Sequence, residues 1–393
     1  MVEAPINVST RVLVVGGGIG GLSAALALRQ AGIETAVFER QAQLREVGAG
    51  LSLWPNALKA LGKLGLADAV EAVSGPIDYL ENRTWRGKLL SEAPIGELNR
   101  KFGAPSVCVH RADLLAILSE ALGEGVVRLG ARCVGFDQDG ARVTARFADG
   151  GEEHGDLLIG ADGVHSAARE QLVGDGEPKY AGYSAWRAIA GFQHDALPAG
   201  TACFAWGRGS QVGIFPIGRG RVYWFATANA PEGAGGAGGG PKRELMERFR
   251  GWYAPIQEAI ESTAESAVLR NDIYDREPVE RWGQGRVTLL GDAAHPTTPN
   301  LGQGACLAIE DAIVLAACLE ESGGMAAALR AYEAKRKHRT AAVTRLSRRL
   351  GRMWQTANPL MTGLSYALAR LTPVRLGLKP FEWIFGQTGI SIS

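Results

Sequence analysis

Val12-Leu13-Val14-Val15-Gly16-Gly17-Gly18-Ile19-Gly20-Gly21 is the stretch that decides the fold. Its first four residues are apolar and mostly β-branched, the pattern of a strand buried on both faces of a parallel sheet. The six residues that follow are glycines interrupted once, by Ile19. Leu22 to Gln30, rich in Ala and Leu, then reads as a helix that Ala31-Gly32 stops. A second strand, Thr35-Ala36-Val37-Phe38, ends on Glu39.

A G-x-G-x-x-G pattern alone is weak. Between a strand and a helix, with an acid closing the second strand, it predicts a Rossmann-type βαβ unit that holds a dinucleotide. In that reading Gly16 permits the tight turn, Gly18 lets the backbone approach a pyrophosphate, and Gly21 lets helix and strand pack closely. The helix N-terminus supplies free N–H groups and the positive end of its dipole. Glu39, followed by Arg40, would accept hydrogen bonds from a ribose. The unit does not distinguish FAD, NAD and NADP, which share the adenosine-pyrophosphate end.

The 393 residues are 46% hydrophobic and 21% charged, which fits a globular protein of two lobes, interleaved or consecutive. Forty-two Lys and Arg against forty-one Asp and Glu give no global field that would argue for nucleic acid. The five cysteines are scattered singly, without a metal or redox pair. The apolar stretch Val12 to Leu28 is broken by glycines and lacks a basic leader, so it does not read as a signal peptide. No run reaches the ~20 apolar residues of a spanning helix. These features predict a cytoplasmic protein with no metal.

Three further stretches carry a family resemblance. They are Arg45-Glu46-Val47-Gly48-Ala49-Gly50-Leu51-Ser52-Leu53-Trp54-Pro55-Asn56-Ala57, Asp156-Leu157-Leu158-Ile159-Gly160-Ala161-Asp162-Gly163, and Val287-Thr288-Leu289-Leu290-Gly291-Asp292-Ala293-Ala294-His295-Pro296, the last continuing to Pro299-Asn300-Leu301-Gly302-Gln303-Gly304. Together with the glycine turn they resemble the single-component FAD-dependent aromatic hydroxylases, of the p-hydroxybenzoate hydroxylase type. The branch resembled contains salicylate hydroxylases, 3-hydroxybenzoate 6-hydroxylases, urate hydroxylases and zeaxanthin epoxidases. The resemblance covers residues 11 to about 345.

It implies an α/β protein: a Rossmann-type FAD-binding fold (residues 1–75, 100–175 and 275–345), an interleaved antiparallel-sheet substrate domain (76–99 and 176–274) and a C-terminal helical segment (346–393). It assigns Asp292 to the ribityl chain of FAD. Asp162 and Gly163 would touch flavin and pyridine nucleotide. Gly50, Pro299, Gly302, Gln303 and Gly304 would line the flavin site, with the helix from Ala305 to Leu319 stabilising negative charge on the ring. Arg111 resembles an FAD-side arginine, or is a solvated charge at a helix start. Arg45 resembles a mobile arginine near the flavin. Val134 touches adenine through its backbone or is a core valine. No second strand-GxGxxG-helix unit exists, so NADH or NADPH would visit the cleft transiently.

Four strands are read between residues 184 and 226, with Trp186, Phe204, Phe215, Tyr223 and Phe225 as pocket or core aromatics. The tentative catalytic residues are Arg187, Tyr223 and Gln303. Arg187 pairs with a substrate anion or with a neighbouring acid; Tyr223 assists deprotonation of a phenol or anchors the sheet. His295 braces the Asp292 turn. A urate-hydroxylating relative would offer an arginine around Gln211, and its replacement by glutamine argues against purine chemistry.

The function implied is an NAD(P)H- and O2-using monooxygenase acting through a flavin hydroperoxide on a small aromatic or apolar substrate, as a monomer or homodimer. Two alternatives stay open: an epoxidase or natural-product-modifying monooxygenase, and a non-catalytic flavin-binding or membrane-surface protein. The basic segment Lys335 to Arg352 is expected to be a long helix across both lobes with its basic face solvated. A helical hairpin around Pro373 follows, with Phe381, Trp383, Ile384 and Phe385 closing onto the body or a twin subunit; membrane contact is not favoured.

Overall fold

The computed structural model describes residues 10–44, 50–234 and 240–386. Its first layer is a six-stranded sheet in the order Gly283–Gln284, Val287–Leu289, Leu157–Gly160, Arg11–Val15, Glu34–Glu39, Val127–Leu129. The Arg11–Val15 strand pairs in parallel with both Leu157–Gly160 and Glu34–Glu39. The motif strands therefore lie side by side and end at one edge. Val12, Leu13, Val14, Leu157, Leu158 and Ile159 are fully buried, as strands covered on both faces must be. The helices Ile19–Gln30 and Gly304–Glu321 pack on each other against this sheet.

The second lobe is a seven-stranded sheet in the order Leu269–Asp275, Lys179–Gly191, Arg221–Asn229, Ser210–Pro216, Thr201–Gly207, Tyr79–Thr84, Leu89–Ala93. It is antiparallel apart from Thr201–Gly207 against Tyr79–Thr84, which run parallel. That exception follows from interleaving: the two strands belong to chain segments separated by a return through the first lobe.

Alternation along the strands gives this sheet two apolar faces. Trp186, Trp224 and Ile214 point outward into a core with Leu245, Phe249 and Ile256, from the helices Gly240–Arg248 and Ala254–Glu261. The Trp224 indole N–H donates to Thr263 Oγ1 at 2.9 Å, so burial of that ring leaves no orphaned donor. Truncating either indole would cost about 3–5 kcal/mol. The other face carries Arg187, Tyr223, Phe225, Phe215 and Gln211, and looks back at the first lobe.

The helix Met325–Trp354 spans both lobes without a break at residue 345. Its basic face is only partly solvated. Arg336 is fully buried and Arg339 nearly so, and Arg348 is tied to Asp275 and Glu277, whereas Lys335, Arg345, Arg349 and Arg352 face solvent. Helices Pro359–Leu371 and Val374–Gly386 follow, hinged at Pro373. Phe385 closes onto the body, with its ring 5.6 Å from Trp54 and 5.9 Å from Phe102.

Candidate active site

The glycine turn has the geometry its sequence requires. Gly16 sits at φ +110°, and a Cβ there would lie 2.3 Å from the Ala161 carbonyl oxygen. A Cβ on Gly21 would lie 1.9 Å from the Gly16 oxygen. Gly18 is different: a Cβ there would meet nothing within 4 Å. Gly18 also caps the Ile19–Gln30 helix without any side-chain hydrogen bond, and no acid occupies the first turn. The helix therefore presents backbone donors to open space, which is what a pyrophosphate needs. Glu39 takes the Gly17 N–H at 2.7 Å and the Gln41 N–H at 2.8 Å, which fixes its carboxylate beside the turn. Arg40 is exposed.

Asp292 lies in a short 3-10 turn, Gly291–Ala293, with Gly291 at φ +60°. The turn is held from both sides. On one, Asp311 Oδ2 accepts the Gly291 N–H at 3.1 Å and His295 Nε2 at 2.6 Å. On the other, Arg169 Nη1 donates to the carbonyls of Ala293 and Ala294, both at 3.0 Å. Asp292 itself is left open to the crevice, though protein crowds it in the wider shell. That crowding pushes its carboxyl pKa up, opposed by His295 and Arg111. The direct opening is what a ligand meets, so we place Asp292 at the wall of the site. Arg111, first residue of the Arg111–Leu122 helix, lies near enough to act on the Asp292 charge.

Other anticipated residues arrive with different duties. Asp162 Oδ2 accepts the Ala167 N–H at 2.8 Å at the start of helix Ala167–Val173, so its carboxylate organises the loop and burial raises its pKa. The adjoining Gly163, at φ +83°, has open space around it. Val134 is exposed rather than a core valine. Gln303 is buried, and its Oε1 accepts Asn56 Nδ2 at 3.0 Å. Its amide oxygen is thereby tied to the neighbouring Pro55–Lys63 helix. Gly302, at φ +60°, and Gly304 then start the Gly304–Glu321 helix, and Pro299 is exposed at the crevice. Arg45 lies outside the described residues.

Behind this turn sits a buried ion cluster. Arg336 bonds Asp311 at 2.6 Å and Glu310 at 2.8 Å, and Arg339 bonds Glu310 at 2.7 Å. Burial alone would raise the Asp311 pKa, but His295 and Arg336 outweigh it and hold it at about 2. Asn56 Nδ2 also donates to Glu310 at 2.6 Å. The sequence signal for this cluster was an adjacent acid pair, Glu310-Asp311, inside an otherwise apolar helix, answered by arginines on the next helix.

A crevice of about 620 Å³ separates the lobes. Asp292, Pro296, Thr297 and Pro299 line one side; Arg187, Arg270 and Asn271 line the other. Arg187 Nη2 donates to Asn271 Oδ1 at 2.9 Å, so its partner is a neutral amide and not an acid. On the inner sheet face Phe204, Phe215 and Phe225 form an aromatic wall, with Phe204 and Phe215 centred 5.3 Å apart edge to face. Tyr223 packs directly under the first lobe: a Cβ on Gly50 would lie 2.4 Å from its ring. Burial pushes the Tyr223 hydroxyl pKa well up, with Arg187 pulling back. Tyr223 therefore stays protonated at neutral pH and is suited to donate a hydrogen bond.

The fit to FAD is good on these grounds: an open Gly18, donors at a helix start, an acid at the second strand and Asp292 at the far end of the same crevice. Residues 9–347 match the FAD binding domain family. The chain is 43% identical over 360 residues to an aurachin C monooxygenase/isomerase of Stigmatella aurantiaca, covering 92% of this chain and 94% of that one. It is 38% identical over 328 residues to an FAD-dependent urate hydroxylase of Klebsiella pneumoniae, covering 83% and 85%. The crystal structure of Klebsiella pneumoniae HpxO complexed with FAD and uric acid superposes with a TM-score of 0.89 at 34% identity, over 96% of each chain. With the strands of three glycine-turn segments side by side in one sheet, the chain belongs to the FAD binding domain family and is an FAD-dependent monooxygenase.

Proposed function

We propose that this monooxygenase hydroxylates a flat, largely apolar aromatic or heteroaromatic ring that carries a neutral polar edge, using NADH or NADPH and O2. The observation that carries the reading is the inner face of the substrate sheet. Its aromatic wall shares that face with buried neutral side chains, Gln211 and Thr227. A ring keto or N–H group that bonded the Gln211 amide would gain about 0.5–1.5 kcal/mol on binding. Arg187, beside Phe225 on the same face, is engaged by the neutral Asn271 amide, which leaves the neutral reading the simpler one.

When bound, FAD takes electrons from NAD(P)H and activates O2, so that one oxygen atom enters the ring and the other leaves as water. The chain's own residues bind and orient. Glu39 and the Ile19 helix start hold the adenosine-pyrophosphate end, Asp292 holds the chain leading to the ring, and the start of the Gly304 helix offers donors to charge gathered there. Tyr223 donates a hydrogen bond from above, and the phenylalanine wall excludes water, which protects an activated oxygen from wasteful decay.

The test is to supply the FAD-loaded protein with neutral keto- or lactam-bearing heteroaromatics, benzoates and urate, following NADH or NADPH oxidation and product mass. The neutral rings are expected to accelerate turnover and gain one oxygen. Acceleration by benzoates or urate alone would remove the reading.

A further inference from the structure

The helices that end the described chain expose more apolar surface than their role in the fold explains. On Pro359–Leu371, Leu360, Leu364, Leu368 and Leu371 recur at helical spacing, with fractional exposures of 82%, 51%, 52% and 79%. Met361 extends the stripe, and Val374 and Leu376 carry it past the Pro373 hinge, each about half exposed. The opposite side of the same helix is anchored: Tyr366 donates to the Trp206 carbonyl at 2.5 Å, and Thr362 is buried. The stripe therefore belongs to a docked helix and is not an artefact of a loose one.

Charge around it is one-sided. From residue 334 onward the sequence holds eleven Lys and Arg against a single acid, Glu382, while the preceding residues hold thirty-one against forty. Glu382 is itself paired with Lys101 at 2.8 Å. Arg352, Arg370, Arg375 and Lys379 are exposed beside the stripe.

We propose that this face is a peripheral docking surface for an anionic lipid bilayer: the leucine stripe enters the interfacial region and the four cations contact lipid headgroups. An amphipathic face with a basic rim binds such surfaces through buried apolar area and electrostatic attraction together. The charge argues against a second copy as occupant, since a two-fold interface would set basic rim against basic rim. No helix among the described residues is long and apolar enough to cross a membrane, so the contact is superficial. Because the same helix is bonded to the Thr201–Gly207 strand, docking would set one end of the substrate sheet beside the bilayer.

The experiment is co-sedimentation of the FAD-loaded protein with phosphatidylcholine vesicles and with vesicles containing about one-third phosphatidylglycerol. Expected is binding to the anionic vesicles only, lost when salt is raised to about 1 M, where the screening length falls to about 3 Å. The variant L360D/L364D/L371D should lose binding at least about tenfold, given the apolar area withdrawn, with flavin content and thermal transition unchanged. Equal binding by that variant, or no binding to either vesicle, would overturn the proposal. So would sedimentation velocity showing a dimer that the same substitutions dissociate, because the stripe would then be an interface between copies.

Discussion

Asp311 Oδ2 lies 2.6 Å from His295 Nε2 and 3.1 Å from the Gly291 N–H, so a single carboxylate oxygen ties the histidine after the cofactor turn to the glycine before it. Its other oxygen takes the buried Arg336. D311N keeps the shape but removes one of the two carboxylates that balance Arg336. Leaving two buried arginines, Arg336 and Arg339, to share the Glu310 carboxylate should cost up to about 3–5 kcal/mol. The Gly291–Ala293 turn should loosen with it, so D311N is expected to melt well below the parent and to bind FAD more weakly even where still folded. Thermal melts with and without added FAD check this; an unchanged transition would show that the pair does not brace the turn.

The same residue sets a pH dependence. Its folded pKa, at about 2, lies below the ordinary 3.8, so the unfolded chain binds the proton more readily. Stability from Asp311 is therefore complete above pH ~5 and is lost as pH falls through 4 toward 2, amounting to about 2 kcal/mol. Asp162 and Asp292, with raised pKa values, work the other way. Urea unfolding at neutral pH and at successively lower values should show the loss in the parent protein and a shallower slope in D311N. Parallel slopes would contradict the assignment.

Gly16 and Gly18 should separate folding from binding. An alanine at position 16 would need both φ +110° and a Cβ 2.3 Å from a carbonyl oxygen, so G16A is expected to be insoluble or destabilised by several kcal/mol. G18A meets no protein atom, and its backbone, at φ −73°, suits any residue. It should fold with a near-parental apo transition yet retain less FAD, since its methyl group points into the space reserved for phosphate. Equal flavin content in G18A and the parent would place the pyrophosphate elsewhere.

This contrast also explains what could be read in advance. The glycine turn, the flanking strands and the helix stops are local: a few residues fix them through chirality, spacing and capping. Asp292 was reachable for the same reason, as it follows a buried strand and a sharp glycine. The Arg336, Arg339, Glu310 and Asp311 cluster was only half legible, because the acid pair in an apolar helix calls for partners but does not name them until two helices are superposed. Arg187 stayed open between two partners and found a third, Asn271, for the register of neighbouring strands is not written in either strand alone. The partner of Gln303 was not legible either, because position near a helix start says nothing of where an amide turns, and Asn56 takes its oxygen.

Tyr223 supplies the last distinction, between a base and a donor. A residue that removed a proton from a phenol would need a depressed pKa, and burial moves this hydroxyl the other way. Y223F should therefore raise KM about two- to tenfold, the weight of one neutral hydrogen bond, while kcat keeps the same pH profile across the neutral range. Arg187 opposes the effect of burial on Tyr223, so R187M lets the hydroxyl's pKa climb further and should likewise leave the profile unchanged across the neutral range. Steady-state profiles of both variants on one accelerating substrate decide the matter. If Y223F abolished an ionisation near neutral pH in kcat, Tyr223 would be a base and the donor role would be wrong.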